Sequence, residues 1–520
     1  MNQSQQDHLH RLIRSMDPAE KRYFKVYTSR HLVGGSSNHQ ILFDAIDEQD
    51  EYDEAALLRR FKKEAFTNRF AITKHRLYDT ILRSLDAYHA ESSVDARLRR
   101  SLHHVEILHA RALYPEAEKL LASVRRTAAK HGRTSLLVAV REWESRLMEQ
   151  ANYAHANATA VDAWVEEGRE LLDVQAQVDR LWALKSDLFR TLYAKGQARS
   201  TAALSALEGL KTLPELQPTS TWCSPRAEYL YHHIRSAIAF AEGKAEQSRD
   251  HLLRNRALIR ARYDHFSEEP SLLLGVLGNL AYVTAQLGHH GEAHDLLREF
   301  RQAPMDFDMP DTPDLDVKLF STSYSLELAL LCHAGDFVSA AAQLPAIERG
   351  LQRHEGSIGA VRKAGFYYQM AYAAFGAGDP ETALRLTNKL LNDISIDESE
   401  DAVCYGRLLH LILLLETGRT DMVRFAARNT TRFLQTRGRT FRTEQLLIAL
   451  VQGIAKNSTA AHVHEKLSQF HENLSALQDQ PAERALYGHL DPIAWAISRL
   501  HGKPFGEVVK ERLHGRGKAA

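Results

Sequence analysis

A phrase of helix, glycine and second helix recurs along this chain of 520 residues, and it limits the fold more than any other feature. Its clearest copy is YQMAYAAFGAGDPETALRLTNKLL, residues 368–391. Aligned on the small residue of the second helix, Ala293, Ala340 and Ala383 are equivalent, and each lies five residues after a glycine, Gly288, Gly335 or Gly378. Gly243 with Ser248 and Gly418 with Val423 fit the same frame. An earlier copy, VEILHARALYPEAEKLLASV, has Ala117 in the small position but Ala112 where the glycine belongs.

Each part of the phrase has a physical reason. Glycine just past a helix adopts the left-handed conformation that closes the helix without a Cβ clash. Asp379 is placed to cap the next helix, and Pro380 loses no needed hydrogen bond in its first turn. Ala383 lets paired helices approach closely, while Leu386, Leu390 and Leu391 continue an apolar stripe. Two such helices cannot bury both apolar faces alone, so neighbouring hairpins must stack. The expected fold is all-α, an α-solenoid of stacked antiparallel helical hairpins. Residues 135–225 fit the frame badly and read as helices without assignable hairpins.

The order of small, aromatic, glycine and alanine positions in Tyr367, Ala371, Gly378 and Ala383, and again in Ala281, Gly288 and Ala293, resembles the tetratricopeptide repeat. That resemblance implies a right-handed superhelix whose groove holds a protein or peptide. Successive small residues are 45, 47, 43 and 40 residues apart (248 to 293, 293 to 340, 340 to 383, 383 to 423). The family repeat is about 34 residues, so the helices here are longer, as in tetratricopeptide-like sensor domains of bacterial regulators. The start EKRYFKVY and the end WAISRLHGKPFGEVV together resemble a group of uncharacterised bacterial tetratricopeptide-type proteins, a likeness that implies no activity.

Four segments are expected: an N-terminal helical module over 1–92, repeats over 93–500, a C-terminal cap helix over 501–513 and a disordered tail over 514–520. The cap would carry Phe505, Val508, Val509 and Leu513 onto the last exposed apolar face. Basic and acidic side chains balance at 66 each, so whole-molecule attraction to nucleic acid or an anionic membrane is not expected. Three scattered cysteines, Cys223, Cys332 and Cys404, form no disulfide framework or zinc motif and suit a reducing compartment. The polar N-terminus has no apolar signal core. The long uncharged stretch from Ser271 contains Asn279 and Gln286 and reads as a buried repeat helix, with no membrane partner. The chain is expected to be cytoplasmic.

No motif in the sequence calls for catalysis, a cofactor or a metal. His290 and His294 share a helical face, but Glu292 lies on another and no third ligand is near. HVHEKLSQFH has Ser468 where a second zinc histidine belongs. Asp306, Asp308 and Asp311 begin no calcium loop, because Asp311 and Val317 occupy its glycine and glutamate positions. LVGGSSN lacks the lysine of a phosphate loop. The expectation is a protein that is not an enzyme.

Two contact surfaces are candidates besides the groove. RFAARNTTRFLQTRGRTFR carries Arg424, Arg428 and Arg432 at four-residue steps, then Arg437, Arg439 and Arg442, a patch suited to an anionic partner. Arg249, Arg256 and Arg260 repeat the pattern; both stripes also read as solvated faces paired with acidic loops. In the N-terminal module, DEAALLRRFKKEAFTNRFAITKHRLYDTILRSL has the outline of a helix-turn-helix. Asn68, Arg69, Thr73, Lys74 and Arg76 stand near the start of its second helix, where base contacts are made. A structural bundle burying Phe24, Tyr27, Phe43, Leu77, Ile81 and Leu85 explains the same segment.

The leading expectation is therefore a scaffold that binds a protein or peptide along its groove, with Tyr324, Tyr368 and Tyr405 as groove residues. The alternative is a transcriptional regulator whose N-terminal module binds DNA and whose repeats sense a ligand.

Overall fold

The computed structural model describes residues 8–29, 38–154, 157–195, 198, 201–218, 222–393, 395–396, 401–477, 480, 483 and 486–516. These form α-helices joined by turns and short 3-10 segments, with no strand among the described residues. The tail expected to be disordered lies largely outside them, since only 514–516 are described. Two compact units divide the chain at Trp164 and Val165.

The first unit opens with α1 (His8–Ser15), α2 (Pro18–Ser29), α3 (Asn38–Asp47), α4 (Glu54–Arg60) and α5 (Phe70–Tyr88). Asp17 and Glu20 cap α2 reciprocally, each side chain accepting from the other's backbone N–H at 2.8 Å, with Pro18 at the first helical position. Phe24, Phe43, Leu77 and Ile81 are buried in one core, while Tyr27 and Leu85 are half-buried. Phe24 and Phe43 stack with centroids 4.5 Å apart. A second core joins α6 (Val94–Ala110), α7 (Tyr114–Lys130) and α8 (Thr134–Gln150) through Leu98, Val105, Leu121, Val124 and Val140. α9 (Ala158–Lys195) follows as one helix of 38 residues. No glycine turn interrupts it, so the repeat frame fails there.

The second unit contains α10 (Thr201–Lys211), then α11 (Pro225–Ala241) with α12 (Ala245–Ala261), and α13 (Tyr263–Phe266). Next come α14 (Pro270–Gln286) with α15 (His290–Asp306), then α16 (Pro313–His333) with α17 (Phe337–Ala342) and α18 (Leu344–Arg353). α19 (Ala360–Gly376) pairs with α20 (Pro380–Asn392), α21 (Asp401–Glu416) with α22 (Thr420–Thr436), and α23 (Arg442–Lys456) with α24 (Ala460–Ser475). Each first helix packs on its own second helix, and α14, α16, α19, α21 and α23 also pack on one another in sequence. The unit is thus repeat-like. The second helix of the α16 hairpin is broken, because Pro345 in the first turn of α18 cannot donate to the preceding turn.

The turn glycines behave as the phrase predicts. Gly243, Gly288, Gly335, Gly378 and Gly418 all have φ between 72° and 86°. After each, a backbone N–H reaches back five residues: Lys244 to the Ala239 carbonyl at 2.8 Å, and Asp379 to Ala374 at 2.9 Å. Asp379 Oδ1 accepts from the Thr382 N–H at 3.0 Å, the expected cap. Ala293, Ala340, Ala383 and Val423 have no exposed surface. α14 is apolar nearly all round, yet no helix among the described residues is long and apolar enough to cross a membrane.

Two helices end the chain. α25 (Pro492–His501), capped by Asp491 and closed by Gly502 at φ 64°, packs on α24. α26 (Phe505–Arg516) places Phe505 among Phe337, Phe375 and Tyr372, at 5.4, 5.0 and 6.1 Å between ring centroids. It therefore rests on α17 and α19 as well as following α25.

Two substitutions test this account. A Cβ at Gly376 would stand 2.0 Å from the ring of Phe337, which is 1% exposed and hemmed in by Tyr372 and Phe505. Gly376→Ala gains about 1 kcal/mol of helix propensity but is expected to lose more through overpacking, roughly 1–3 kcal/mol net, read as a lower Tm. Ala112 occupies the left-handed region at φ 60°. Ala112→Gly is expected to stabilise the first unit by about 1 kcal/mol, and a lowered Tm would contradict that.

Candidate functional site

The second unit encloses a cavity of about 1250 Å³. Much of its wall comes from first helices: His233 and Phe240 of α11, Asn279, Tyr282 and Gln286 of α14, Leu328, Cys332 and His333 of α16, and Tyr368 and Tyr372 of α19, with Ser248 and Leu252 of α12 and Phe189 of α9 beside them. Asn279 and Gln286 are exposed on a helix that is mostly buried, and their seven-residue spacing turns both into this space. The C-terminal segment closes one side with Tyr487, His489, Asp491 and Arg512.

The cavity presents both polar and apolar surface, and several of its ionisable wall groups are held neutral or paired. Burial pushes His333 down to about 4, with His489 and His290 beside it adding to the effect. His233 is likewise pushed down to about 4 by burial, reinforced by Lys185 and Arg226, and its ring stacks on Phe189 at 4.9 Å. Burial also lowers His290 and His489. The Tyr368 and Tyr372 phenols are raised well above their ordinary value by burial, and the Cys332 thiol is pushed up to about 12. A thiol held that firmly protonated is a poor nucleophile. Two lining charge pairs face each other: Asp401 with Arg439, and Asp491 with Arg512 at 3.1 Å. His290 Nδ1 and Arg512 Nη2 are buried with no hydrogen-bond partner among the described residues. A group entering the cavity is thus met by imidazoles, phenols and amides rather than by net charge.

Two of the three groove tyrosines read from the sequence are here. Tyr368 donates to the His489 carbonyl oxygen at 2.9 Å, and the Tyr405 ring stacks on His489 at 4.4 Å. Tyr324 does not join them; it packs beside Phe320 at 5.2 Å. The histidines, Tyr372 and the whole C-terminal wall went unrecognised in the sequence. Only Asn279 and Gln286, polar positions within an apolar helix, signal the cavity there.

The arginine patch divides. Arg424, Arg428 and Arg432 are exposed along α22, and Arg442 is exposed at the start of α23. Arg437 lies over the Phe433 ring at 3.8 Å, and Arg439 turns into the cavity to meet Asp401. The second stripe is paired: Arg249 with Glu292, and Arg256 and Arg260 with Glu299. Its carboxylates come from the next second helix, α15, rather than from loops. In the N-terminal module, Asn68 and Arg69 are exposed in a 3-10 turn and Arg76 is exposed on α5. Lys74 is engaged with Glu54 at 2.6 Å and Tyr52 at 2.9 Å, and Thr73 donates to backbone carbonyls. These five residues therefore do not share one free face.

No family model matches this sequence, and no curated protein matches it significantly.

The neutral imidazoles make stability depend on pH. An unfolded histidine titrates near 6.5, whereas His233 and His333, with the hydrogen-bonded pair His232 and His251, titrate near 4 when folded. Between those values the unfolded chain binds more protons, so stability is full above about pH 6.5 and falls as pH drops toward 4. Asp393, held down to about 2 mainly by Lys363, loses its contribution only at lower pH. Tm is expected to fall across the histidine window, less steeply in His333→Gln; a flat wild-type profile would refute the assignment.

Proposed function

We propose that this chain is a non-enzymatic scaffold of tetratricopeptide-like repeats that receives a peptide segment in the cavity of its second unit. The supporting observation is that first helices of successive hairpins share one concave wall, with Asn279 and Gln286 left open to it. A volume of about 1250 Å³ exceeds the usual range for small-molecule sites, roughly 300–1,000 Å³, and suits several residues of extended chain. The stack forms a superhelix, and stacking supplies the groove. Neutral tyrosines and histidines select by hydrogen bonding and ring contact, so the bound segment is read by shape and polar pattern.

The test is selection from a random displayed peptide library against the full chain, followed by titration of the winning sequence. Asn279→Trp and Gln286→Trp fill the cavity without entering the core and are expected to weaken binding at least tenfold, about 1.4 kcal/mol. Winners that bind both variants as tightly as wild type would place recognition elsewhere and defeat the proposal.

The regulator reading keeps Asn68, Arg69 and Arg76 exposed for nucleic acid. It expects mixed-sequence duplex DNA to bind with strong salt dependence and to be lost in Arg69→Glu/Arg76→Glu. Absence of binding at low salt removes it.

A further inference from the structure

Some successive second helices of the second unit are tied by ion pairs. Arg249 and Arg256 of α12 reach Glu292 and Glu299 of α15, the first through two bonds of 2.6 and 2.9 Å. Arg385 of α20 reaches Glu348 of α18 at 3.2 Å. Arg419, which precedes α22, reaches Glu381 of α20 at 2.9 Å. Among the described residues no such pair joins α15 to α17 or α18, nor α22 to the following second helix, α24. Arg424, Arg428 and Arg432 form no ion pair with any described residue, and Glu465 of α24 is bonded by Gln469 on its own helix at 3.0 Å. Three cations are therefore set in a row, and among the described residues neither Glu465 nor Glu472 of α24 forms an ion pair with them.

The same helix exposes apolar surface. Met422 is 52% and Phe425 68% exposed, and no other phenylalanine among the described residues stands out so far. At 100° per residue the arginines form one edge of the exposed face, and Phe425 and Met422 form the other. A basic edge beside an aromatic anchor is what an acidic amphipathic helix requires.

We propose that the outer face of α22 docks an acidic amphipathic helix of a partner protein. Its carboxylates take the places that Glu292 and Glu299 hold against Arg249 and Arg256, and an apolar side chain covers Phe425. The charges set orientation and encounter rate, while the aromatic contact supplies attraction that salt does not screen. This surface is separate from the cavity, so the two proposals stand or fall apart.

The probe is a labelled synthetic helix with glutamates at the seven-residue spacing of Glu292 and Glu299 and leucines on the adjoining stripe, titrated into the full chain by anisotropy. Saturable binding is expected, weakened about tenfold between about 50 and about 200 mM salt. Arg424→Glu/Arg428→Glu/Arg432→Glu is expected to abolish it, and Phe425→Ala to weaken it at least fivefold at both salt levels. All four positions are exposed, so Tm should hold; if the triple variant fails to fold, Arg428→Glu alone must still weaken binding. The cavity-filling variants should bind the probe normally. No binding, equal binding by the charge-reversed chain, or duplex DNA binding here with Phe425→Ala harmless would overturn the proposal.

Discussion

The hydrogen-bonded reversal after each first helix governs the second unit. A helix end leaves its last carbonyls without intrahelical donors, and burial makes that costly. At Gly243, Gly288, Gly335, Gly378 and Gly418 the left-handed turn brings a following N–H back to one of them. The turn sends the chain back along the helix it has just left. The small residue five positions on then lets the two backbones approach. Each first helix still has an uncovered side, and the next first helix takes it: α14 on α16, α16 on α19, α19 on α21. Ion pairs such as Arg249 with Glu292 lie on the outside of this arrangement, where each is worth little. They fix register more than they add stability.

Much of this was legible because its causes are local. A glycine followed by Asp-Pro needs only its own neighbours to specify a turn and a cap, and Asp379 does cap. At Ala112 the repeat was legible even against the residue type, since hairpin geometry holds an alanine at φ 60°. Where causes are not local, the sequence was silent. α9 runs 38 residues because nothing stops it, and uninterrupted helix carries no hairpin signal. The seat of α26 depends on a ring cluster between Phe505 and residues about 130–170 positions earlier, which no periodicity encodes.

The candidate site divides the same way. Tyr368 and Tyr405 could be named because first helices of stacked hairpins line a common wall. Tyr324, named by the same rule, rotates toward Phe320 instead, since one position along a helix shifts a side chain by about 100°. Arg439 was grouped with the exposed stripe by proximity in sequence, yet it follows the α22 turn and meets Asp401 inside. Neutral histidines are the least legible of all. An imidazole's charge depends on what surrounds it, and His290, His333 and His489 come from three distant parts of the chain.

Charge is also distributed unevenly between the cavity and α22, and that bears on how each would recognise anything. Within the cavity Asp401 and Asp491 face Arg439 and Arg512, so an ionic group brought beside either pair would meet desolvation without a free counter-charge. The buried His290 Nδ1 and Arg512 Nη2 have no hydrogen-bond partner among the described residues, and a hydrogen-bonding ligand atom would recover what burial costs them. On α22 the situation is reversed: Arg424, Arg428 and Arg432 are exposed and form no ion pair with any described residue, and Phe425 is exposed beside them. There, opposite charge lowers the energy of approach and apolar contact holds what arrives. A ligand in the cavity would therefore be discriminated by polar pattern, and one on the exposed face of α22 by sign of charge.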